Sequence, residues 1–252
     1  MWVNKKNVLI VAGSDSVGGA GVQADIKSCE AFGCFSASVI TAVTAQNTNG
    51  VSSVLAMPAS MVKAQFEMVL AELDIDAVKV GMLFNEEIIA VVSGFLKELR
   101  AKNVPVVIDP VCVAKSGAKL LEDGAIEALK ELLKLASVAT PNADEARILG
   151  INFTNLPCDM VLKRTKVDEI CEDTLYLKNG DAMKFSEELF EPKVMHGAGC
   201  SFSSSLAAIL AQQSDLVSAI KMAKKFVANG IKNAHKSKFG TRLIDHKAGL
   251  NG

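Results

Sequence analysis

The sequence predicts an α/β protein built on a mostly parallel, doubly wound sheet, and three observations carry that expectation. Short apolar runs, such as NVLIVA at 7–12 and VPVVI at 104–108, have the unbroken character of strands covered on both faces. Segments with helical apolar spacing alternate with them, as crossover helices do. Glycine-rich or polar stretches follow the strands, and in a doubly wound sheet such loops gather at the carboxyl edge, where ligands bind.

Composition narrows the class. With 252 residues, half of them hydrophobic, the chain is long enough for one large core, and a single domain is expected over 1–252. A net charge of −1 with both signs mixed along the chain gives no reason to expect a nucleic-acid or membrane partner, so the expected ligand is small. Cysteines stand at 29, 34, 112, 158, 171 and 200 without a C-x-x-C pair, which argues against a zinc site or a disulfide framework. The apolar run Val8–Gly13 is too short for a signal peptide or membrane span, and a cytoplasmic protein is expected.

Taken in order, the first strand ends at Gly13, and GSDSVGGAGVQ forms a glycine-rich loop before a helix from about Val22 to Phe32, stopped by Gly33. The dinucleotide pattern G-x-G-x-x-G is absent there. Phe35–Thr44 reads as the second strand and AQNTNG as a polar turn after it. Asp25 and Gln46 offer an acceptor and a donor–acceptor pair suited to a flat heterocycle with an amino group beside a ring nitrogen. Read alone, they are a helix-face carboxylate and a turn amide in solvent.

Ser60–Leu73 has helical spacing and leads to a strand at Ala77–Val80 and the turn Gly81-Met82. Glu86–Lys102 is a second such helix, and the strand after it ends in Asp109-Pro110, a carboxylate position suited to metal or phosphate chemistry or simply to capping the next turn. A polar loop at Val113–Leu121 brings Lys115, Ser116 and Gly117 near the same edge. Glu122–Leu135 reads as helix and Ser137–Ala139 as a short strand. Asn142 and Glu145 of NADE then stand at i and i+3 in a helix's first turn, placed to share a hydrated cation or, for the glutamate, to serve the helix dipole. In the less regular 151–194 region, Asn179-Gly180 marks a hairpin placed at the sheet edge, and Leu216–Ala234 is a last helix.

The most informative stretch is MHGAGCSFSSSLAAILAQ at 195–212. Gly197, Ala198 and Gly199 leave the backbone open to a ligand just before a helix, which makes an anion site from its free N–H groups and dipole. Cys200 falls where that field is strongest, so its thiol is expected to ionise more easily and to act as base or nucleophile. By itself a short glycine motif is also a plain capped turn.

Taken together, VAGSDSVGGAGVQADIKS, TAVTAQNTNGV, VKVGML, VIDPVCVAKSG, TPNADEA and HGAGCSFSSSLAA resemble, in order, the motifs of the hydroxymethylpyrimidine/phosphomethylpyrimidine kinases, thiamine-synthesis enzymes of the ribokinase-like superfamily. The resemblance implies a three-layer αβα sandwich and transfer of the ATP γ-phosphate to a pyrimidine hydroxymethyl group and then to its monophosphate. It implies a homodimer with ATP and Mg²⁺ as cofactors. By position, Asp25 and Gln46 would hold the aminopyrimidine, with Gly13 and Met82 lining its pocket. Asp109 and Glu145 would organise Mg²⁺, Asn142 would contact the ATP phosphates, and Gly197, Ala198 and Gly199 would form the anion hole. Cys200 stands where sugar kinases of the superfamily place an Asp, which points to a pyrimidine or pyridoxal-type kinase. The family's Val-Lys-Gly-Gly element is replaced by VLKRT, leaving Lys163 as its lysine and Lys224, beside Lys225, as a second phosphate contact. The usual Gly-His-Gly near the C-terminus is replaced by KSKFGTRL. Pyridoxal kinase and a non-catalytic pyrimidine-binding protein are the other readings.

Overall fold

The computed structural model describes residues 5–113, 117, 119–167, 169–188, 195–213 and 215–250. A nine-stranded sheet is formed by β1 (Asn7–Asp15), β2 (Phe35–Asn47), β3 (Gly50–Ala56), β4 (Ala77–Val80), β5 (Val106–Ile108), β6 (Val138–Ala139), β7 (Asp159–Val167), β8 (Ile170–Tyr176) and β9 (Ala182–Glu188). Its order is β3-β2-β1-β4-β5-β6-β7-β8-β9. Strands β2 to β7 in that order pair parallel, whereas β2–β3, β7–β8 and β8–β9 pair antiparallel.

The helices are α1 (Gly21–Ala31), α2 (Ala59–Glu72), α3 (Glu86–Ala101), α4 (Ile126–Leu133), α5 (Ala143–Ile148), α6 (Ala198–Leu210) and α7 (Leu216–Lys232). Alternation along β1 sends Leu9 and Val11 into a core shared with α2, α3 and α4, while Val8, Ile10 and Ala12 enter a second core shared with α1, α6 and α7. The result is the expected sandwich, with helices on both faces of the sheet. Each of the large apolar side chains so buried contributes roughly 1.5–3 kcal/mol. Local signals fix the helix starts: Asn85 accepts from the Ile88 N–H at 3.0 Å to begin α3, and Asp215 from the Val217 N–H at 3.1 Å to begin α7.

Three features differ from the sequence expectation. Strand β2 continues to Asn47 and turns back into β3, so Gln46 lies on a strand, paired with Val51, and not in a turn. Helix α6 starts at Ala198, which puts Cys200 inside its first turn. The 151–194 region holds an antiparallel meander, with Asn179-Gly180 at the β8–β9 turn as expected. Short strands β10 (Met195–His196), β11 (His235–Lys236) and β12 (Arg242–Leu243) form a separate small sheet. The expected loop residues Lys115 and Ser116 lie outside the described residues.

Candidate active site

A cleft of about 930 Å³, counted out to its open mouth, lies at the carboxyl edge of the parallel strands. At one end the glycine-rich loop after β1 is folded around Asp15. Its Oδ2 accepts the N–H groups of Gly19 at 3.0 Å and Ala20 at 2.8 Å, its Oδ1 accepts that of Val17 at 3.1 Å, and His196 Nε2 sits 2.8 Å from Oδ2. Burial pushes this carboxyl up, but His196 and the backbone donors outweigh it and hold it below the usual range. Gln46 Nε2 lies 3.4 Å from the same histidine nitrogen, and the Thr44 hydroxyl donates to Gln46 Oε1 at 3.3 Å. Gly13 and Met82 touch: a Cβ on Gly13 would come 2.9 Å from the Met82 sulfur. In the sequence Asp15 stands beside Ser14 as a polar residue at the mouth of the first loop, with no role attached to it, and nothing marks His196 beyond its place in the HGAGC motif.

The N-terminus of α6 forms the floor. Gly197, its N-cap, has φ 85°, and a Cβ there would run into the carbonyl oxygen of Gly19, so only glycine joins the two loops. Ser201 is the first residue whose N–H bonds within the helix, to Gly197 O at 2.9 Å, and no side chain caps the turn. The N–H groups of Ala198, Gly199 and Cys200 are thus left to the cleft. Cys200 is half-buried. Contrary to the expected easy ionisation, burial, with the charges of Asp25 and Asp109 adding to it, pushes its thiol up to about 11 against the pull of Lys79 and the Gly21 N–H. A helix terminus does not offset the loss of water around a charge-bearing sulfur.

Toward the far end, Lys163 Nζ donates to Asp109 Oδ1 at 2.6 Å, a nearly fully buried pair. The ammonium lies against the α6 turn, 3.3 Å from where a Gly199 Cβ would stand. Asn142 and Glu145 form a capping box on α5: Asn142 Oδ1 accepts the Glu145 N–H at 2.9 Å, and Glu145 Oε2 accepts the Asn142 N–H at 2.8 Å. Both also line the cleft, and the capping box leaves Asn142 Nδ2 and Glu145 Oε1 unused. Burial raises the Glu145 carboxyl, with the Asp109 charge adding to it against Lys163. Two such carboxylates on one wall fit a divalent cation that completes its shell with phosphate oxygens and water. Among the described residues no group of three or more His, Cys, Asp or Glu could hold a metal by itself.

Two expected residues lie elsewhere. Asp25 is fully buried and outside the cleft wall: its Oδ2 accepts from Lys79 Nζ at 2.6 Å, while its Oδ1 has no partner. Burial, helped by the Asp109 charge, pushes its carboxyl up to about 6. Lys224 is also behind the wall, where its Nζ donates to Asp173 Oδ2 at 2.7 Å and ties α7 to β8. A lysine on the buried face of an amphipathic helix reaches the nearest internal carboxylate, and that is not in the cleft. Lys79, in contrast, is not among the expected site residues and does line it. The signal was present, since a lysine inside the four-residue buried strand AVKV requires an internal partner.

An anion-binding helix N-terminus and a buried Lys–Asp pair, set at the carboxyl edge of a doubly wound sheet, define a phosphate-handling α/β protein. The particular family follows from comparison with known proteins. The phosphomethylpyrimidine kinase pattern matches residues 15–245, and the chain belongs to that family. It is 40% identical to the hydroxymethylpyrimidine/phosphomethylpyrimidine kinase of Haemophilus influenzae, over 90% of this chain and 91% of that protein. It is 38% identical to the thiamine biosynthesis bifunctional protein ThiED of Geobacter sulfurreducens over 95% of this chain, but spans only 52% of that longer protein. Among solved structures, Bacillus subtilis pyridoxal kinase in its ADP complex superposes with a TM-score of 0.86 at 30% identity, covering 97% of this chain and 98% of that one. Among the described residues no helix is long and apolar enough to cross a membrane.

Proposed function

We propose that this chain transfers the terminal phosphoryl group of ATP to the hydroxymethyl group of 4-amino-5-hydroxymethyl-2-methylpyrimidine, and then a second one to the resulting monophosphate. The observation that carries the reading is one cleft whose wall holds Gln46 and Met82 together with Lys163 and the N-terminus of α6. The Gln46 amide can pair with an amino group and its neighbouring ring nitrogen, while Gly13 and Met82 give a flat slot for the ring. The first-turn N–H groups at Ala198 and Gly199 and the Lys163 ammonium face the position where charge builds on the transferred group, which is how such sites lower the barrier. Asn142 Nδ2 is a donor for the nucleotide phosphates. Asp109 and Glu145 would hold Mg²⁺, which would supply neutralisation of phosphate charge.

In this reading Cys200 Sγ, on the cleft wall, meets the acceptor hydroxyl. Because burial keeps the thiol protonated, its role in this reading is to hydrogen-bond and orient that oxygen; the loose transition state of phosphoryl transfer asks little of a base before the new P–O bond forms. The reading takes the protein as a cytoplasmic homodimer acting on small molecules.

The test is ATP consumption with the pyrimidine and, in parallel, with pyridoxal, counting added phosphates by mass. Two phosphates on the pyrimidine are expected, and Cys200→Ala is expected to abolish transfer with the fold intact. Transfer to pyridoxal alone would establish the second reading, which the likeness to pyridoxal kinase favours. Tight pyrimidine binding without turnover in the native chain would make it a binding protein.

A further inference from the structure

The β7–β8 ladder contains an irregularity that faces the cleft. Leu162 pairs with Thr174 and Thr165 with Glu172, so two residues of β7, Lys163 and Arg164, oppose the single residue Asp173. That is a β-bulge, in which one extra residue re-aims the side chains beside it. Successive residues of a regular strand point to opposite faces, yet here Lys163 and Arg164 both line the cleft. Arg164 achieves this with φ 65°, in the left-handed region that a residue with a Cβ occupies only under constraint.

The constraint is visible. Asp173 Oδ1 accepts the Arg164 N–H at 2.7 Å, and its Oδ2 accepts Lys224 Nζ at 2.7 Å. Asp173 and Lys224 are both nearly fully buried, so the carboxylate is fixed from α7 and in turn fixes the Arg164 backbone.

Charge pairing around the cleft separates Arg164 from its neighbours. Lys163 is paired with Asp109, Lys79 with Asp25 and His196 with Asp15. The Arg164 guanidinium is exposed and, among the described residues, has neither an ion pair nor a side-chain hydrogen bond. Its charge pulls the Glu145 carboxyl down.

We propose that Arg164 is a ligand for the polyphosphate of the nucleotide, and that Asp173 and Lys224 are positioning residues that hold the bulge presenting it. A guanidinium offers five donors in a planar fork matched to phosphate oxygens, and this one gives up no existing partner on binding. The nucleotide is favoured over a phosphorylated acceptor by distance. Gln46, where the ring is read to sit, is on β2, five strands from β7 in the sheet order, which is about 24 Å at the usual spacing. The free N–H groups of α6 and Lys163 lie between. The inference rests on the kinase reading for the identity of the ligand.

Arg164→Gly and Arg164→Gln test it, with ADP binding measured by calorimetry and steady-state kinetics measured with ATP and each pyrimidine. Arg164→Gly should raise the ADP Kd and the ATP KM by about tenfold or more, the size of a lost charge-assisted contact. The KM for the unphosphorylated pyrimidine should stay unchanged. Its Tm should be equal to or above that of the native chain, because glycine accepts this φ freely; Arg164→Gln, which keeps the strain, should lose nucleotide affinity without gaining Tm. Arg164→Lys should recover part of the affinity. Unchanged ADP Kd and ATP KM in the glycine variant overturn the proposal, as does a rise confined to the pyrimidine monophosphate, which would move Arg164 to the acceptor. Calorimetry separates this from the kinase reading: ADP binding that weakens in Arg164→Gly supports Arg164 even if the native chain phosphorylates neither pyrimidine, and absence of ADP binding by the native chain overturns both.

Discussion

The parallel half of the sheet buries the pair Asp25–Lys79 and the antiparallel extension the pair Asp173–Lys224, and these two are finished differently. In the extension, both oxygens of Asp173 are used, one by Lys224 and one by the Arg164 N–H. In the parallel half, Asp25 has only Lys79, and its second oxygen is orphaned. A fully satisfied pair is scaffold. An incompletely satisfied one, set beneath the cleft with its carboxyl raised to about 6, is tension held in place by the surrounding core.

The sharpest way to separate the two pairs is to remove each lysine. Lys79→Met and Lys224→Met should each destabilise by about 3–5 kcal/mol at neutral pH, since each strands a buried carboxylate. For Lys79→Met the loss should depend on pH. A carboxyl whose folded pKa lies above its unfolded value is protonated in the fold first, so its contribution to stability is greatest at low pH and declines as pH rises from about 4 to about 6. Lys79→Met should therefore recover much of its loss near pH 5, where Asp25 is neutral. Urea unfolding of Lys79→Met and the native chain at pH 5 and 8 reads this directly, and an equal loss at the two pH values would count against it.

A smaller effect contrasts glycines. Gly180 at the β8–β9 turn and Gly197 at the α6 N-cap have similar backbones, φ 96° and 85°. A Cβ on Gly180 meets nothing within 4 Å, whereas one on Gly197 strikes Gly19. Gly180→Ala should cost about 1 kcal/mol, from the backbone alone. Gly197→Ala should cost about 2–3 kcal/mol and separate the two loops of the cleft. Equal losses in thermal unfolding would mean that the close approach of the loops is not what requires glycine there.

The same division explains what was legible. In the parallel half, apolar runs end at Gly or Pro, so β1, β5, Asp109 and the α6 turn announce themselves in local sequence. Strand β3, VSSVLA with its preceding glycine, is not legible because it is an edge strand with mixed exposure and no buried run. The Arg164 bulge is not legible because it depends on Asp173, nine residues away across a ladder, and on Lys224 from a helix. Lys224 itself read as a phosphate contact because its partner is set by tertiary packing alone. Asp25 read as a ligand for a similar reason: a motif fixes which residue is present, while burial decides which way it is used.

The smallest effect concerns Cys200, where a local and a tertiary influence pull in opposite directions. From sequence, the helix N-terminus dominates and the thiol ionises readily. In the fold, burial and two carboxylates win, and the thiol stands at about 11. Alkylation by iodoacetamide distinguishes these, because only the thiolate reacts. Cys29, Cys34, Cys112 and Cys158 are buried, so Cys171→Ser leaves Cys200 as the one thiol that is not buried. In that variant the alkylation rate should climb about tenfold per pH unit through pH 8 to 10 without levelling. A plateau by about pH 8 would show that the helix terminus prevails over burial, and would return Cys200 to the part of a ready base. Removing the opposing carboxylate should move the curve in a known direction. Asp25→Asn takes away a charge that disfavours the thiolate and leaves Lys79 nearby, so alkylation at a given pH should become faster.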